Sequence, residues 1–417
     1  MSLLKNDGLG ICHDGSHGLL HAILAFFAMI FSVTSALAVT PSDGFNDGID
    51  RTDPNFVTAS LLVMSPGDEL YSCAGHSCIR LECPKFNLDY CFSYESESVK
   101  DKVWEFFSGK LKMGMFSIPT AEYLKQYEKD GRGVNQYALN LPIGVKRHLW
   151  KLLDEKVAEG ANLPYDYIKR GCSQFIVAIL RKALAAENVT MEIPAWPAKY
   201  DLTRRELVER AVSRNYPWTR ILLQSICGNY ADKEVPKIEK VVTPSDVLDF
   251  LKAARVNGMP IIDGNGTVIH AVTRKDPTMP AITPWGVAWV AVTLSVFNLF
   301  LKRSYVDYGF LAFQSVMGLV LTYLVFLSDV PVTGWNWLLI PFNLLPLVFW
   351  KWRLKWALWF AIVLLLWDAW MICWPHQLTD PAYLVLVGAY IIFYLKFTSF
   401  GRVALLRDRI GRGTHPA

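Results

Sequence analysis

The sequence predicts an exported α+β domain followed by an all-α bundle of about five transmembrane helices. Three observations predict it: an uncharged apolar stretch at 19–38, a mixed strand and helix pattern over 39–275, and five apolar stretches after residue 276. The predicted domains are therefore 1–38, a signal peptide or N-terminal anchor; 39–275, the exported domain; and 276–417, the transmembrane domain.

Composition excludes several classes of protein. Of the 417 residues, 52% are hydrophobic and 19% are charged, and the mean hydropathy is +0.23. These values exclude a disordered chain and argue against an ordinary soluble enzyme. A net charge of +4 does not suggest a nucleic-acid partner. The eight cysteines contain no CxxC pair, so a zinc site is not indicated. We predict neither a metal nor a cofactor.

The N-terminal stretch reads as an export signal. It ends in Ala36, Leu37 and Ala38, a small-x-small pattern that a signal peptidase accepts. Lys5 stands against Asp7 in the weakly charged segment before it, which leaves cleavage open. An uncleaved anchor would deliver the next segment to the same side of the membrane.

Residues 39–275 alternate strand-like and helix-like patterns. Apolar and aromatic runs predict strands at 57–64, 77–83 and 88–95. Leucines at helical spacing predict a helix at 144–159, and further helices are predicted at 172–185 and 244–255. Thr203 and Glu206 form a predicted capping box, and Ser245 is the predicted N-cap of the last of these helices.

Charge orients the C-terminal stretches. All ten Lys and Arg residues after residue 276 follow the first, third or fifth stretch, and the other two loops have none. The positive-inside rule makes the basic side cytoplasmic. A chain that crosses the membrane five times and ends in the cytoplasm must begin its first crossing on the opposite side. The 39–275 domain is therefore predicted to lie outside the cytoplasmic membrane, in agreement with the export signal. The five stretches are 284–301, 306–328, 335–350, 356–374 and 382–397.

The exported segment offers one pair of residues suited to nucleophilic catalysis. Cys172 follows Gly171 at the start of an apolar helix, where the helix dipole and free N–H groups stabilise a thiolate and can form part of an oxyanion hole. Of the segment's three histidines, His148 sits on a charged helix and His270 in an apolar run, whereas His76 opens a strand that would fix its ring as a general base.

A structural role for Cys172 is the alternative. A free cysteine is more often a buried small hydrophobe than a nucleophile. The segment holds six cysteines, so pairing of all six would make Cys172 half of a disulfide. Cys83 and Cys91, on neighbouring predicted strands, are the predicted bridge.

Several motifs together resemble the bacterial Lnb-type N-terminal periplasmic domain family. The resemblance extends over nearly the whole exported domain and into the helical tail. One departure is Gly171, where family members usually have Asn before the nucleophile. The motifs are GHSCIRL (75–81), YCFSY (90–94), WEFFSGK (104–110), Arg132 with Gln136 ahead of ALNL (138–141), YDYIKRGC (165–172), Pro217, Trp218, Gly228 and Asp232, and WNWLLIPFNLLPL (335–347).

The resemblance implies a circularly permuted papain-like (NlpC/P60-type) fold, in which the His strand precedes the Cys helix. It also implies a lipoprotein N-acyltransferase, multi-pass in the bacterial cytoplasmic (inner) membrane with its catalytic domain on the periplasmic side. Such an enzyme moves an acyl chain from a phospholipid, through a Cys172 thioester, to the N-terminal amine of a diacylated lipoprotein. Its partners would be the phospholipid donor and the lipoprotein acceptor.

Further site residues are predicted around this pair. Tyr94 is the preferred residue to orient His76, with Asp89 and Ser93 as alternatives, and Tyr165 is a candidate for holding the oxyanion. Arg80 shares a strand face with His76 and is a candidate for binding the lipid phosphate, unless it is an ordinary ion-paired arginine.

Three other functions remain open at this stage. A papain-like cell-wall peptidase or amidase would use the same Cys/His fold, but no glycan-binding module is found. A phospholipase or thioesterase would share the acyl-enzyme and resolve it with water. A membrane scaffold or transport component would not need Cys172.

Overall fold

The computed structural model describes residues 50–69, 72–96, 102–161, 163–164, 171–193, 202–233, 240–275, 278–301, 305–374, 377 and 379–398. The predicted signal peptide or anchor, Tyr165 and the basic tail from Arg402 onward lie outside these residues. From Thr52 onward the described residues belong to one compact unit.

The part of the chain predicted to be exported, residues 39–275, is called the exported part below. It is built on an antiparallel sheet of seven strands in the order β10-β5-β1-β2-β3-β4-β6. The three strands predicted from alternation are confirmed as β1, β2 and β3, which lie at its centre. A separate small sheet has the order β7-β8-β9. The strands are β1 Thr58–Met64, β2 His76–Cys83, β3 Leu88–Glu95, β4 Lys112–Pro119, β5 Val134–Ala138, β6 Leu163–Pro164, β7 Met191–Glu192, β8 Arg255–Val256, β9 Met259–Pro260 and β10 Thr267–His270.

Helices accompany the sheet, and the predicted ones are present. The capping box is confirmed, because Thr203 and Glu206 bond reciprocally at the start of α5. The prediction for Ser245 is wrong: Thr243 caps α7, accepting from the N–H of Asp246. The helices are α1 Val103–Ser108, α2 Thr120–Lys129, α3 Ile143–Glu159, α4 Cys172–Ala186, α5 Arg204–Ala211, α6 Pro217–Ile226 and α7 Pro244–Ala253.

The two faces of the central strands differ in chemistry. One face, with Leu61, Ile79 and Phe92, packs against apolar side chains of α3, α4 and α7 and forms the main core. A fully buried leucine such as Leu61 contributes about 1.5–3 kcal/mol relative to an exposed one. The opposite face carries Cys78 and Cys91 and packs against tyrosines of α2. The functional side chains lie at one end of this two-faced sheet.

The C-terminal part is helical, as predicted, but the third of the five predicted stretches is not a continuous helix in the described residues. The third stretch, 335–350, is broken into 3₁₀ turns and a single helical turn. Pro341 and Pro346 explain the break, because proline removes a backbone donor and clashes with the preceding turn. The helices are α8 Pro284–Asn298, α9 Tyr305–Phe326, α10 Leu345–Val348, α11 Arg353–Cys373 and α12 Pro381–Leu395.

Two helices among the described residues are long and apolar enough to cross a bilayer. They are Tyr305–Phe326 and Trp350–Cys373, the latter counted with the 3₁₀ turn that precedes α11. The apolar helices α8 and α12 have 15 residues each, fewer than the ~20 that a perpendicular span needs.

Hydrogen bonds to backbone carbonyl groups join the exported part to the segment between α9 and α10. The N–H of Gly228 donates to Val332 O (2.8 Å), and the N–H of Asn229 donates to Trp335 O (3.2 Å). Asn336 Nδ2 donates to Ser225 O (2.6 Å). These bonds hold the end of α6 directly against the helical part.

Replacing Gly228 with alanine is expected to break this contact. A Cβ at Gly228 would lie 1.9 Å from the carbonyl oxygen of Gly334, which is backbone and cannot swing away. We expect a loss of about 1–3 kcal/mol, typical of overpacking, seen as a lower midpoint of thermal unfolding. Gly388→Ala is the matched control, because its Cβ would meet nothing within 4 Å; equal midpoints for the two variants would contradict this prediction.

Candidate active site

His76 and Cys172 meet at one end of the central sheet. His76 is the first residue of β2, and Cys172 is the first residue of α4, which packs on that sheet. The hydroxyl of Ser77, next to His76, donates to Cys172 Sγ at 3.7 Å. Two residues 96 positions apart in the sequence are therefore neighbours in the fold.

The environment of Cys172 favours the thiolate. Burial would raise the pKa of this thiol, but the charge of His76, the contact with His76 and hydrogen bonds from Ser77 outweigh it and lower the pKa from 9.0 to about 6. The position at the helix start adds unpaired N–H groups and the positive end of the helix dipole. Near neutral pH the sulfur is therefore largely ionised.

The helix start is formed without the asparagine found in the resembling family. The N–H of Gly171 donates to Oε1 of Gln174, three residues on, at 3.3 Å. Gly171 has extended backbone angles, φ −81° and ψ 168°, and a Cβ there would meet nothing within 4 Å. Glycine at this position therefore preserves the helix start that positions the sulfur.

A chain of hydroxyl groups holds the imidazole of His76. Nε2 of His76 lies 2.8 Å from Ser93 Oγ, which donates to Glu95 Oε2 at 3.0 Å. Ser93 Oγ also lies 2.9 Å from the hydroxyl of Tyr123, which lies 3.1 Å from that of Tyr127. Ser93 and Tyr123 are buried, so this chain fixes the ring from the protein interior.

The hydrogen-bond pattern also selects the tautomer of neutral His76. Because Ser93 donates its proton to Glu95, its lone pairs accept from His76 Nε2–H and from the Tyr123 hydroxyl. Nδ1 is then the ring nitrogen left to exchange a proton with the thiol. Burial would lower the pKa of His76, but the negative charges of Cys172 and Glu95 raise it overall. The pair is thus a thiolate beside an imidazolium, the arrangement that activates cysteine nucleophiles.

Replacing Ser93 with alanine is expected to slow the reaction of Cys172 without changing the fold. The substitution leaves His76 Nε2 and the Tyr123 hydroxyl without their shared partner, so the ring is less well oriented. We expect a roughly 10-fold lower rate of Cys172 alkylation at neutral pH, in line with the loss of about 1.5 kcal/mol of hydrogen bonding. Ser60→Ala is the control: it is buried on the same sheet but bonds Gln136. Equal rates for both variants would contradict a positioning role for Ser93.

Of the three residues suggested to orient His76, the structure brings Ser93 against it rather than the preferred Tyr94. Alternation along β3 places Tyr94 on the opposite face, where it stacks on Phe175 of α4 at 4.6 Å between ring centroids. The third, Asp89, is held elsewhere by Arg80.

Arg80 does not have the free guanidinium that phosphate binding would require. Its Nε and Nη2 donate to both carboxylate oxygens of Asp89 at 2.8 Å. Nη1 donates to Gln136 Oε1 (2.8 Å), and Nη2 also donates to Glu82 Oε1 (2.9 Å). The alternative of an ion-paired arginine is therefore the one observed, and we do not retain Arg80 as a lipid-binding residue.

The predicted disulfide between Cys83 and Cys91 is also wrong. Cys91 pairs with Arg80 in the register, and Cys83 pairs with Leu88. Because positions 83 and 91 project from opposite faces of the sheet, their sulfur atoms cannot meet. All six cysteines of the exported part lie among the described residues, and Cys83, Cys91 and Cys172 are free thiols.

Sequence reasoning missed Glu95 and the tyrosines behind His76. Ser93 and Glu95 are two apart on a strand, and Tyr123 and Tyr127 are four apart on a helix. Each spacing predicts a shared face, but only the register between β2 and β3 tells which face lies under His76.

A family model matches the part of the chain that contains the candidate site. Residues 45–209 match the family model described as the Lnb N-terminal periplasmic domain. The matched segment contains His76, Ser93 and Cys172, and over these residues the resemblance drawn from the sequence motifs is confirmed. No curated protein and no solved structure matches the chain.

Proposed function

Since residues 45–209 constitute an Lnb N-terminal periplasmic domain, we propose that the protein is a lipoprotein N-acyltransferase of the bacterial inner membrane. The domain family and the apolar helices make it an inner-membrane protein with a periplasmic domain. The observation that carries the proposal is the thiolate–imidazolium pair of Cys172 and His76, fastened to an apolar helical part.

In the first half-reaction the Cys172 thiolate attacks an ester carbonyl carbon of a phospholipid. A C–S bond forms, and a tetrahedral oxyanion develops near the N–H groups at the start of α4. When the ester C–O bond breaks, the imidazolium of His76 gives its proton to the leaving alcohol. The products are a thioester on Cys172 and a lysophospholipid.

In the second half-reaction the α-amino group of a diacylglyceryl-cysteine attacks the thioester carbonyl. Neutral His76 takes the proton from the attacking nitrogen while the C–N bond forms and the C–S bond breaks. The amide leaves on the lipoprotein, and the thiolate is restored beside an imidazolium. Ser93 keeps the ring in place through both proton transfers.

The fold that we propose for the catalytic domain is the permuted papain-like one. Its support is the order of the two elements: the strand that starts at His76 precedes the helix that starts at Cys172. The sheet is antiparallel and the helix packs on it, so the histidine and cysteine have the relation expected of that fold.

The topology that we propose keeps five crossings, with the third made by the broken segment. At one end of it, the N–H of Trp337 donates to Gln377 Oε1 (2.9 Å), just before α12 begins. At the other, Trp350 stacks on Phe393 near the end of α12. The segment thus runs along α12, about 22 Å for 15 residues at 1.5 Å each.

Irregular backbone at membrane depth is tolerated where protein covers it. Here Gln314 of α9 donates to the carbonyl of Pro341 (2.7 Å), and Phe342 is fully buried. This topology keeps the basic loops on the predicted cytoplasmic side and the exported domain on the periplasmic side.

Lipoprotein mass spectrometry tests the proposed function directly. Lipoproteins from cells that make the protein should carry a third acyl chain on the N-terminal cysteine, and cells without it should lack that chain. A third chain that persists without the protein would refute the proposal. In vitro, release of free fatty acid with no amide formed on a diacylglyceryl-cysteine peptide would instead identify a phospholipase or thioesterase.

A further inference from the structure

Arg132 is a buried arginine at the same end of the sheet as His76. It lies two residues before β5, and only 8% of its surface is exposed. Its Nε donates to Ser65 O (2.9 Å), and its guanidinium lies over the ring of Tyr127, 4.7 Å from the centroid. Two contacts from different elements therefore hold the guanidinium in one position.

One end of this guanidinium is unused. Nη2 of Arg132 is buried and has no hydrogen-bond acceptor among the residues that the structure describes, and no carboxylate in that part of the chain forms an ion pair with it. A buried charge without a partner is costly, and native structures seldom leave such a donor unsatisfied. Arg80 on β2 of the same sheet is the contrast, since Asp89 and Glu82 neutralise it.

Two series of contacts connect Arg132 with His76. On one side, Ser65 follows Met64, which is the register partner of His76. On the other side, the Tyr127 ring beneath the guanidinium connects through Tyr123 and Ser93 to His76 Nε2. The guanidinium is therefore held by the same group of side chains that positions the imidazole, and its positive charge acts to lower the pKa of His76.

The loop before β2 packs closely against Arg132. A Cβ on Gly67 would lie 3.6 Å from Arg132 Nε and 2.3 Å from Ser72 Oγ, so only glycine lets this loop lie so close. Gly75, with φ +87°, makes the corresponding turn just before His76. Gly67 therefore brings backbone rather than a side chain against the guanidinium of Arg132.

We propose that Arg132 binds the phosphodiester of the phospholipid donor and so places its ester carbonyl beside Cys172. This inference rests on the proposed function and names the group by which the donor is recognised. A guanidinium binds phosphate oxygens through its parallel N–H groups. In a glycerophospholipid the phosphate and the ester carbonyls sit on one glycerol, so an anchored phosphate brings an ester to the neighbouring thiolate.

The test compares two donors with the same acyl chains, using the full-length protein in detergent micelles. Dioleoyl phosphatidylglycerol carries the phosphodiester, and dioleoylglycerol does not. The readout is the oleoyl adduct on Cys172 by intact mass, followed over time at several donor concentrations. For Arg132→Gln we expect a 10- to 100-fold loss with phosphatidylglycerol, the range for a hydrogen bond to a charged group, and a change below twofold with dioleoylglycerol.

The loss should appear mainly as a higher KM, because the phosphate is held alike before and during the reaction. Arg132→Lys keeps the charge and should recover part of the rate with phosphatidylglycerol. Arg80→Gln is the matched control: it removes an ion-paired arginine from the same sheet and should affect both donors equally. Thermal unfolding of each variant separates loss of binding from loss of structure.

Three outcomes would overturn the inference. An equal loss on both donors for Arg132→Gln and Arg132→Lys would mean that Arg132 is structural. Inhibition of the wild type by inorganic phosphate, absent in Arg132→Gln, would mean a site for free phosphate rather than for the donor lipid. No adduct in the wild type with either donor would remove the proposed function itself, and the phosphate site with it.

Discussion

Replacing Cys172 with serine is expected to abolish acyl transfer, with a loss of at least about 10⁴-fold. The thiol has a pKa of about 6, whereas a serine hydroxyl does not ionise near neutral pH, so the variant has no comparable nucleophile. His76, Ser93 and the N–H groups at the start of α4 remain, so donor binding is kept while the covalent step is lost. Intact mass after incubation with phospholipid should show an acyl adduct on the wild type and none on Cys172→Ser.

Cys227→Ser is the matched control for this experiment. Both cysteines are half-buried free thiols, but burial raises the pKa of Cys227 to about 11. The control should therefore form the adduct at the wild-type rate. An adduct that survives Cys172→Ser, or that maps to another cysteine, would exclude the proposed nucleophile. It would leave the fold and the family assignment untouched.

The two central residues were predictable because their signals are local. A glycine followed by apolar residues at helical spacing predicts a helix that starts at Cys172, and alternation predicts the strand that His76 opens. Both signals are read within about ten residues. The packing of that helix on that strand then follows from their shared apolar faces, since each must bury its own.

What the sequence could not supply was the register between strands. Ser93 rather than Tyr94 meets His76, and Asp89 neutralises Arg80, because β2 and β3 pair with Arg80 opposite Cys91. A register one residue away would exchange the faces of every side chain on β3. The proposed disulfide between Cys83 and Cys91 failed for the same reason.

The prediction of a regular span at the third stretch, 335–350, was wrong for a different reason. Its hydropathy suits a membrane span, and hydropathy alone does not distinguish a helix from an irregular segment covered by protein. Pro341 and Pro346 were visible in the sequence and disfavour a straight helix. The contacts that make the irregular path tolerable, such as that of Gln314 with Pro341 O, join residues far apart in the chain.

Replacing His76 with alanine is expected to move the ionisation of Cys172 as well as to remove the proton carrier. Without the imidazole, burial still raises the pKa of the thiol, and the hydrogen bonds from Ser77 and the start of α4 oppose it without the charge of His76. The inflection in the rate of alkylation by iodoacetamide should therefore move from about pH 6 to near the ordinary value of 9.0 or above. A thiol with a pKa of 6 is about nine-tenths thiolate at pH 7, and one with a pKa of 9 is about one-hundredth thiolate.

The rate of acyl transfer should fall further than the rate of alkylation. Acyl transfer also needs a group that gives a proton to the leaving alcohol and takes one from the attacking amine. General acid–base catalysis contributes about 10²- to 10⁴-fold. In the wild type, activity should decline as the pH falls below about 6, where the thiolate is protonated, and decline again as the pH rises past the raised pKa of His76, where the imidazolium is lost. In the variant the first decline should move to higher pH with the pKa of the thiol, and the second decline should be absent.

His148→Ala is the matched control, because His148 also belongs to the exported part but pairs with Glu187 on its surface. Its alkylation profile should superimpose on that of the wild type. If His76→Ala kept its inflection near pH 6, the start of α4 and the Ser77 hydroxyl would stabilise the thiolate without the imidazole. The proton transfers assigned to His76 would then need another carrier.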